Sequence, residues 1–191
     1  GELDHRVRNT LMVVLGLTSQ TLSPGPEREA LLGRLHAIAH GQALLSAPNT
    51  RPVRIRELIA AELAAFEDHV AVSGEDLELL PKAVTVLSLI IHELATNAVK
   101  HGALSAPGGR VTIEWQADRG GNEGYVFRLC WSESDGPPVA VPKWRGYGRE
   151  LLEMAPHLSL KAKVLLDFEP EGLVYILAAP LSGIGAVFRP K

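Results

Sequence analysis

The most informative segment of the sequence is Ile91-His92-Glu93-Leu94-Ala95-Thr96-Asn97-Ala98-Val99-Lys100-His101-Gly102. It ends a segment that begins at Pro81, a residue tolerated in the first turn of a helix. Two stripes run along this predicted helix. The apolar stripe is formed by Leu87, Ile91, Leu94 and Ala98, and the polar stripe by Glu93, Asn97, Lys100 and His101. The spacing therefore predicts one face for a core and an adjacent face for a polar ligand.

The polar stripe is suited to a magnesium-bound polyphosphate. An Asn97 oxygen can bind the metal, and the Lys100 ammonium can bind phosphate oxygens. The alternative is an ordinary solvated helix face. A zinc protease is excluded, because its His-Glu-x-x-His pattern requires a second histidine where this chain has Thr96.

The segments around this helix indicate an α+β fold over residues 51–191. Apolar and polar residues alternate with period two in several short segments, which predicts strands at 70–72, 77–79, 110–116, 125–131, 164–168 and 173–178. A helix is predicted at 56–66, before the long one. Because most of the strands come late and the helices lie between them, we expect a sandwich with helices on one face of a mixed sheet.

Residues 1–50 are predicted to form an antiparallel helical hairpin. Apolar residues recur at helical spacing over 2–20 and 27–46, with a break at Ser23-Pro24-Gly25-Pro26. A linker follows at residues 47–52. Since two helices leave an apolar stripe uncovered, we expect the hairpin to pack on a second copy, as a possible homodimer, or on the rest of the chain.

Composition limits the functional classes. The 191 residues are 46% hydrophobic with a net charge of -3, and no run of Lys or Arg suits a phosphate backbone, so we expect no nucleic acid partner. We also expect no membrane span in this fragment. The single cysteine, Cys130, excludes an internal disulfide and is predicted to be buried, which fits a cytoplasmic protein. Because the sequence starts inside a predicted helix, we expect an upstream part to be missing.

Four motifs resemble those of a known family, in the same order. Residues 91–102 resemble the N box of the ATPase superfamily shared by histidine kinases, DNA gyrase and a class of heat-shock chaperones. His92 together with Trp131-Ser132-Glu133 resembles the HWE group of histidine kinases, named for these residue types. Residues 145–152 are similar to the family's glycine box, and residues 3–9 to its phosphoacceptor box. The resemblance implies a Bergerat-type sandwich after the hairpin.

The resemblance also implies a role for each site residue, with ATP and Mg²⁺ as cofactors. His5 is the implied phosphoacceptor, whose neutral ring nitrogen is a competent nucleophile. Glu93 is the implied base or orders water near the metal, and these two roles stay open. The Glu133 carboxylate accepts the adenine amino group. The remaining implied contacts to metal or nucleotide come from Asn97, Lys100, His101, Gly146 and Gly148.

The implied function is that of a sensor histidine kinase core, which phosphorylates its own His5 and passes the phosphoryl group to an aspartate of a response regulator receiver domain. An upstream sensor would control how the hairpin meets the ATP domain. Two alternatives stay open: a nucleotide-free phosphotransferase or pseudokinase scaffold, and a serine kinase like the related anti-sigma factors. His36 and His40, four residues apart, are expected to be ordinary hairpin histidines, since no acidic or cysteine partner completes a metal site.

Overall fold

The N-terminal hairpin predicted from the sequence is confirmed. A computed structural model describes residues 2–46, 51–120, 124–139 and 146–187, without the side chains of residues 2–5. Helix α1 spans Glu2–Thr21, and helix α2 spans Pro26–Leu45. Helix α2 starts with a proline, which is tolerated in the first turn of a helix. The predicted linker residues 47–50, the turn residues 121–123 and Arg145 of the glycine box lie outside the described residues.

The predicted mixed sheet is also confirmed. Its strands are β1 Val70–Gly74, β3 Arg110–Arg119, β4 Tyr125–Ser134, β5 Lys163–Glu169 and β6 Gly172–Pro180, in the order β1-β3-β4-β6-β5. Only β1 and β3 are parallel within this sheet, and the other neighbours are antiparallel. Strand β2, Leu77–Leu79, pairs instead with β7, Gly185–Val187, in a separate antiparallel ribbon.

Helices α3 (Ile55–Leu63), α4 (Pro81–Lys100) and α5 (Tyr147–Leu160) join the sheet in one hydrophobic core. On β3, Val111, Ile113 and Trp115 are buried while the residues between them are not, as the period-two pattern predicts. By length and composition α4 could cross a membrane, but 61% of that stretch is buried inside the fold. Burial of this kind is what a core helix requires.

Three details differ from the sequence-based predictions. The helix expected to reach residue 66 ends at Leu63 and continues as a 3₁₀ segment, Ala64–His69. The short helix α6, Leu181–Ile184, and strand β7 were not predicted, because each is too short to carry a periodic pattern. Cys130 is half-buried rather than buried, since its side chain alternates with those of Leu129 and Trp131 and faces the side of the sheet away from the core.

One face of helix α2 is covered by the rest of the same chain. Helix α2 lies along α4 and is close to it at two glycines, where a Cβ on Gly33 would stand 2.8 Å from His92 Nε2 and one on Gly41 would stand 2.9 Å from Ser88 Oγ. Gln42 Nε2 also donates to Thr85 Oγ1 at 3.0 Å. The absence of side chains at the two glycines is therefore what lets the helices approach closely. Helix α1 keeps exposed apolar residues, among them Met12 and Val13, each 61% exposed.

A buried carboxyl group lies beside this helix contact. The Glu62 side chain on α3 is only 3% exposed, and its Oε2 lies 3.8 Å from His92 Nδ1. Its Oε1 has no hydrogen-bond partner among the described residues. Burial raises the pKa of Glu62 from 4.5 to about 7, because desolvation penalises the charged form.

This raised pKa predicts a pH-dependent contribution to stability. The pKa of Glu62 is higher in the folded chain than in the unfolded chain, so its contribution is fully present below about pH 4.5 and is lost as the pH rises through about 7. We expect a Glu62→Gln variant to melt a few degrees higher than the parent chain at pH 8, and the difference to shrink or reverse at pH 5. Thermal unfolding of both proteins over this pH range measures it. A Glu67→Gln variant, which changes an exposed residue near Glu62 in sequence, is the control. If the melting temperatures of the Glu62 variant and the parent differ by the same amount at every pH, the prediction is contradicted.

Candidate functional site

A cavity of about 550 Å³ opens where α4 ends and α5 begins. It falls within the range of about 300–1,000 Å³ that is usual for small-molecule sites. The wall is mostly apolar, with a few polar groups at one side. The lining residues are Asn97, His101, Gly102, Glu133, Pro138, Val139, Gly146, Gly148, Arg149, Leu152, Leu166, Phe168 and Leu173. Five of the eight residues predicted for the site are therefore brought together here.

Glu133 is the buried acidic residue of the cavity. Its Oε2 accepts a hydrogen bond from the Ala103 backbone N–H at 2.8 Å, and its Oε1 accepts one from Trp131 Nε1 at 3.1 Å. Burial raises the pKa of Glu133, and these two hydrogen bonds oppose that rise. An ionised carboxylate has about four lone-pair sites, so it can still accept a donor from a ligand.

The surroundings of Glu133 fix its position on the sheet. A Cβ on Gly102 would collide with Glu133 Oε2, and one on Gly172 would collide with the Glu133 carbonyl oxygen. Trp131 is fully buried and lies two residues earlier on β4, on the same face. The Trp-x-Glu spacing therefore has a physical explanation, because alternation along a strand places the indole N–H beside the carboxylate that it orients.

The polar stripe of α4 is divided by the structure. Asn97 is half-buried and His101 is exposed, and both line the cavity. Lys100 is exposed and is not among the described residues that line it. Its predicted contact with phosphate stays a prediction.

The two glycines of the glycine box occupy different settings. At Gly146, which precedes α5, no described atom beyond its chain neighbours lies within 4 Å of the position that a Cβ would take. At Gly148, the same position lies 3.0 Å from Glu93 Oε2 and 3.6 Å from Arg34 Nη2. At Gly148, α5 therefore lies close to the Glu93 and Arg34 side chains. Close packing is thus a second reason for a glycine at this position, besides the predicted approach of a ligand.

Helix α5 begins at the cavity. No described side chain caps its N-terminus, where Gly146 is the N-cap. The first amide groups of a helix have no partner within the helix, and the helix dipole favours a negative charge near them. Because Gly146 and Gly148 line the cavity, these donors can bind an anion such as a phosphate group.

Glu93 is buried against the hairpin and is not among the described cavity-lining residues. Arg34 on α2 binds it with two hydrogen bonds, Nε to Oε1 at 2.8 Å and Nη2 to Oε2 at 2.9 Å. The hydrogen bond to Glu93 raises the pKa of the Arg34 guanidinium. Both carboxylate oxygens of the predicted base are thus engaged by Arg34, which belongs to none of the sequence motifs.

His5 lies in the first turn of α1, and its side chain is outside the described residues. His5 precedes the end of α1 by the same number of residues as Gln42 follows the start of α2. In an antiparallel hairpin the backbone of His5 therefore lies near the level of Gln42 and of its partner Thr85. Asn97 lies twelve residues beyond Thr85 on α4, about 18 Å at a rise of roughly 1.5 Å per residue. Within one chain, His5 and the cavity are not brought together.

Other residues of the cavity were missed by sequence reasoning. Arg149 donates from Nε to Glu153 Oε1 at 2.9 Å, and its guanidinium lies 5.7 Å from the centre of the Phe168 ring. The glycine box contains Arg149 and could have indicated it. Phe168 and Leu166 carried no such signal, because an apolar residue of a strand reads as core whether it lines a cavity or not.

These residues fit an adenine nucleotide in chemical terms. A buried acceptor, apolar walls and uncapped helix amides match a base with an amino group and a chain of phosphates. For a metal, the side-chain oxygen of Asn97 is the candidate ligand, and no group of three metal-binding His, Cys, Asp or Glu residues occurs in the described part of the chain. A divalent ion here would need ligands from phosphate and water.

Comparison with known proteins agrees with this geometry. Residues 2–76 match the model of the HWE histidine kinase family. The chain is 34% identical over 191 residues to a blue-light-activated histidine kinase of Brucella ovis, and 33% identical over 190 residues to that of Brucella anthropi. Each alignment covers 95% of this chain but only 38% of the relative.

A solved structure has the same fold at low sequence identity. The histidine kinase domain from the Erythrobacter litoralis EL346 blue-light activated histidine kinase aligns with a TM-score of 0.59 at 15% identity, covering 95% of this chain and 90% of that one. From the hairpin to the last strand, the architecture is that of a histidine kinase core. The chain is thus similar to the HWE histidine kinases over residues 2–76, and its homology to the blue-light-activated histidine kinases extends over 95% of its length.

Proposed function

We propose that this chain is the kinase core of a signalling protein, which binds ATP with Mg²⁺, phosphorylates His5 and passes the phosphoryl group to an aspartate of a receiver domain. The similarity to histidine kinases implies the use of ATP. The observation that carries the proposal is the buried Glu133 carboxylate, oriented by Trp131 and Ala103 in a cavity that extends to the uncapped start of α5.

Each residue has a separate task in this proposal. Glu133 accepts a hydrogen bond from the adenine amino group. Water is excluded from the base by the apolar side chains of Leu166, Phe168 and Leu173. The α5 amides and Arg149 bind phosphate oxygens. Asn97 would hold a Mg²⁺ ion, which balances the charge on the phosphates when bound. His5 attacks the γ-phosphorus in line with the bond to the β–γ bridging oxygen, and ADP leaves with that electron pair.

The competing hypothesis of a nucleotide-free scaffold is less well supported. A scaffold has no need of an oriented, buried carboxylate, which costs free energy to desolvate. The chain spans 38% of the length of its curated relatives.

The proposed reaction predicts a labile phosphohistidine. Incubation with γ-labelled ATP and Mg²⁺ should label the chain, and the label should be lost in acid and retained in mild alkali. A His5→Gln variant should remain unlabelled but bind ATP, because His5 lies far from the cavity. His36→Gln and His40→Gln, which change exposed histidines of α2, are the matched controls and should be labelled normally. Acid-stable label, or label retained in the His5 variant, would favour a serine kinase instead.

The role of Asn97 predicts a loss that depends on the metal. In an Asn97→Ala variant we expect ATP affinity with Mg²⁺ to fall by about tenfold or more, since one metal ligand is lost. Calorimetric titrations with and without Mg²⁺ measure the effect, which should be much smaller without the metal. Thr96→Ala on the same helix is the control. Equal losses under both conditions would contradict a metal contact.

The role of Glu133 predicts a loss that depends on the base. A Glu133→Gln variant keeps the shape but replaces the charged acceptor, so we expect ATP to bind about tenfold more weakly or worse. Purine nucleoside triphosphate without the amino group should bind both proteins with similar affinity. Glu114→Gln on the opposite face of the sheet is the control, with parental affinity expected. Parental ATP binding in the Glu133 variant would rule out this recognition.

A further inference from the structure

The ion pair between Arg34 and Glu93 joins the two parts of the chain beside the nucleotide cavity. Arg34 belongs to the hairpin, and Glu93 lies one helical turn before Asn97 on α4. The pair also contacts Gly148, in the first turn of α5. Three segments with different proposed tasks therefore meet at one guanidinium group.

In this arrangement Glu93 cannot assist the reaction. Arg34 engages both of its carboxylate oxygens in a bidentate geometry, the strongest form of side-chain ion pair. The pair is largely withdrawn from solvent, with side-chain exposures of 22% for Arg34 and 8% for Glu93. A carboxylate held in this way is not free to accept a proton or to order a water molecule.

The same arrangement keeps His5 away from the phosphates. The backbone of His5 lies near the level of Thr85, about 12 Å along α4 from Glu93 and about 18 Å from Asn97, at roughly 1.5 Å per residue. Reacting atoms must approach to about 3–3.5 Å. The hairpin must therefore leave its seat on α4 before its own histidine can be phosphorylated.

We propose that the Arg34–Glu93 pair is a latch that holds the hairpin seated on α4, in a state that can bind ATP but cannot transfer its phosphoryl group. When the Arg34–Glu93 ion pair breaks, Glu93 becomes free and the hairpin can move away from α4 at the same time. This inference rests on the proposed kinase function. Arg34 is a positioning residue in this account, because it acts through Glu93 rather than on the nucleotide.

The close seat of α2 on α4 allows a direct test. A Cβ on Gly41 would lie 3.5 Å from the Ser88 Cβ, at the lower end of the range of about 3.5–4.5 Å that a disulfide spans. A chain with Gly41→Cys and Ser88→Cys, in a Cys130→Ser background, can thus be locked in the seated state by oxidation. Neither substituted position belongs to the cavity or to the latch.

We expect the oxidised protein to bind ATP as the reduced protein does, yet to show no labelling of His5 with γ-labelled ATP. Addition of a reductant should restore the labelling. Equal labelling rates in the oxidised and reduced forms would overturn the latch, because a seated hairpin would then be competent for transfer.

Removal of the latch residue should have the opposite effect. An Arg34→Gln variant should label His5 at least about fivefold faster than the parent, the lower end of typical coupling between sites. Arg28→Gln removes a positive charge from the same helix, leaves the pair with Glu93 in place and should label at the parental rate. An unchanged or slower rate in the Arg34 variant contradicts the proposal.

A second measurement separates failure of the latch from failure of the kinase proposal. The rate of disulfide formation between positions 41 and 88 reports how often the hairpin is seated, and it needs no nucleotide. We expect this rate to fall at least about fivefold when Arg34→Gln is added to the double cysteine chain, and to stay unchanged with Arg28→Gln. Equal rates with and without Arg34 overturn the latch even if His5 is never phosphorylated.

Discussion

Helix α4 is buried on two sides, and this burial positions both the sheet and the hairpin around the cavity. One side packs into the core with the sheet, and another receives α2 of the hairpin. Only the C-terminal part of the helix is left to face the cavity, through Asn97 and His101. A buried carboxylate in this region must therefore have a partner within the protein or face a ligand, because burial of a charge without a partner is costly.

The two acidic residues of the site satisfy this requirement in different ways. Glu133 is held by an indole and a backbone amide of its own domain, and it keeps lone pairs for a ligand. Glu93 is held by a guanidinium from the hairpin, which engages both oxygens. The first carboxylate is prepared for recognition at all times. The second becomes available only when two parts of the chain separate, so its chemistry is coupled to their relative position.

Much of the fold could be predicted from the sequence, because its elements carry clear periodic patterns. The two stripes of α4 and the alternation of Val111, Ile113 and Trp115 gave the helix and the strand directly. The motifs also indicated Asn97, Glu133 and Gly146, which meet at one cavity. Arg34 could not be found in this way, since an arginine on a helix reads as a solvated residue until its partner, far away in sequence, is known. The close packing of Gly148 against Glu93 and Arg34 could not be predicted either, because these residues are also far from it in sequence.

The geometry around Glu133 has a consequence for discrimination between purines. Guanine presents a carbonyl oxygen at the position where adenine presents its amino group. An ionised Glu133 has no proton to offer, and its carboxylate is kept in place by Trp131 and by glycines that leave it no room to retreat. In a complex with GTP, the guanine carbonyl oxygen would face the Glu133 carboxylate, and these two hydrogen-bond acceptors would repel each other. GTP would therefore be excluded by repulsion and not only by the loss of a hydrogen bond.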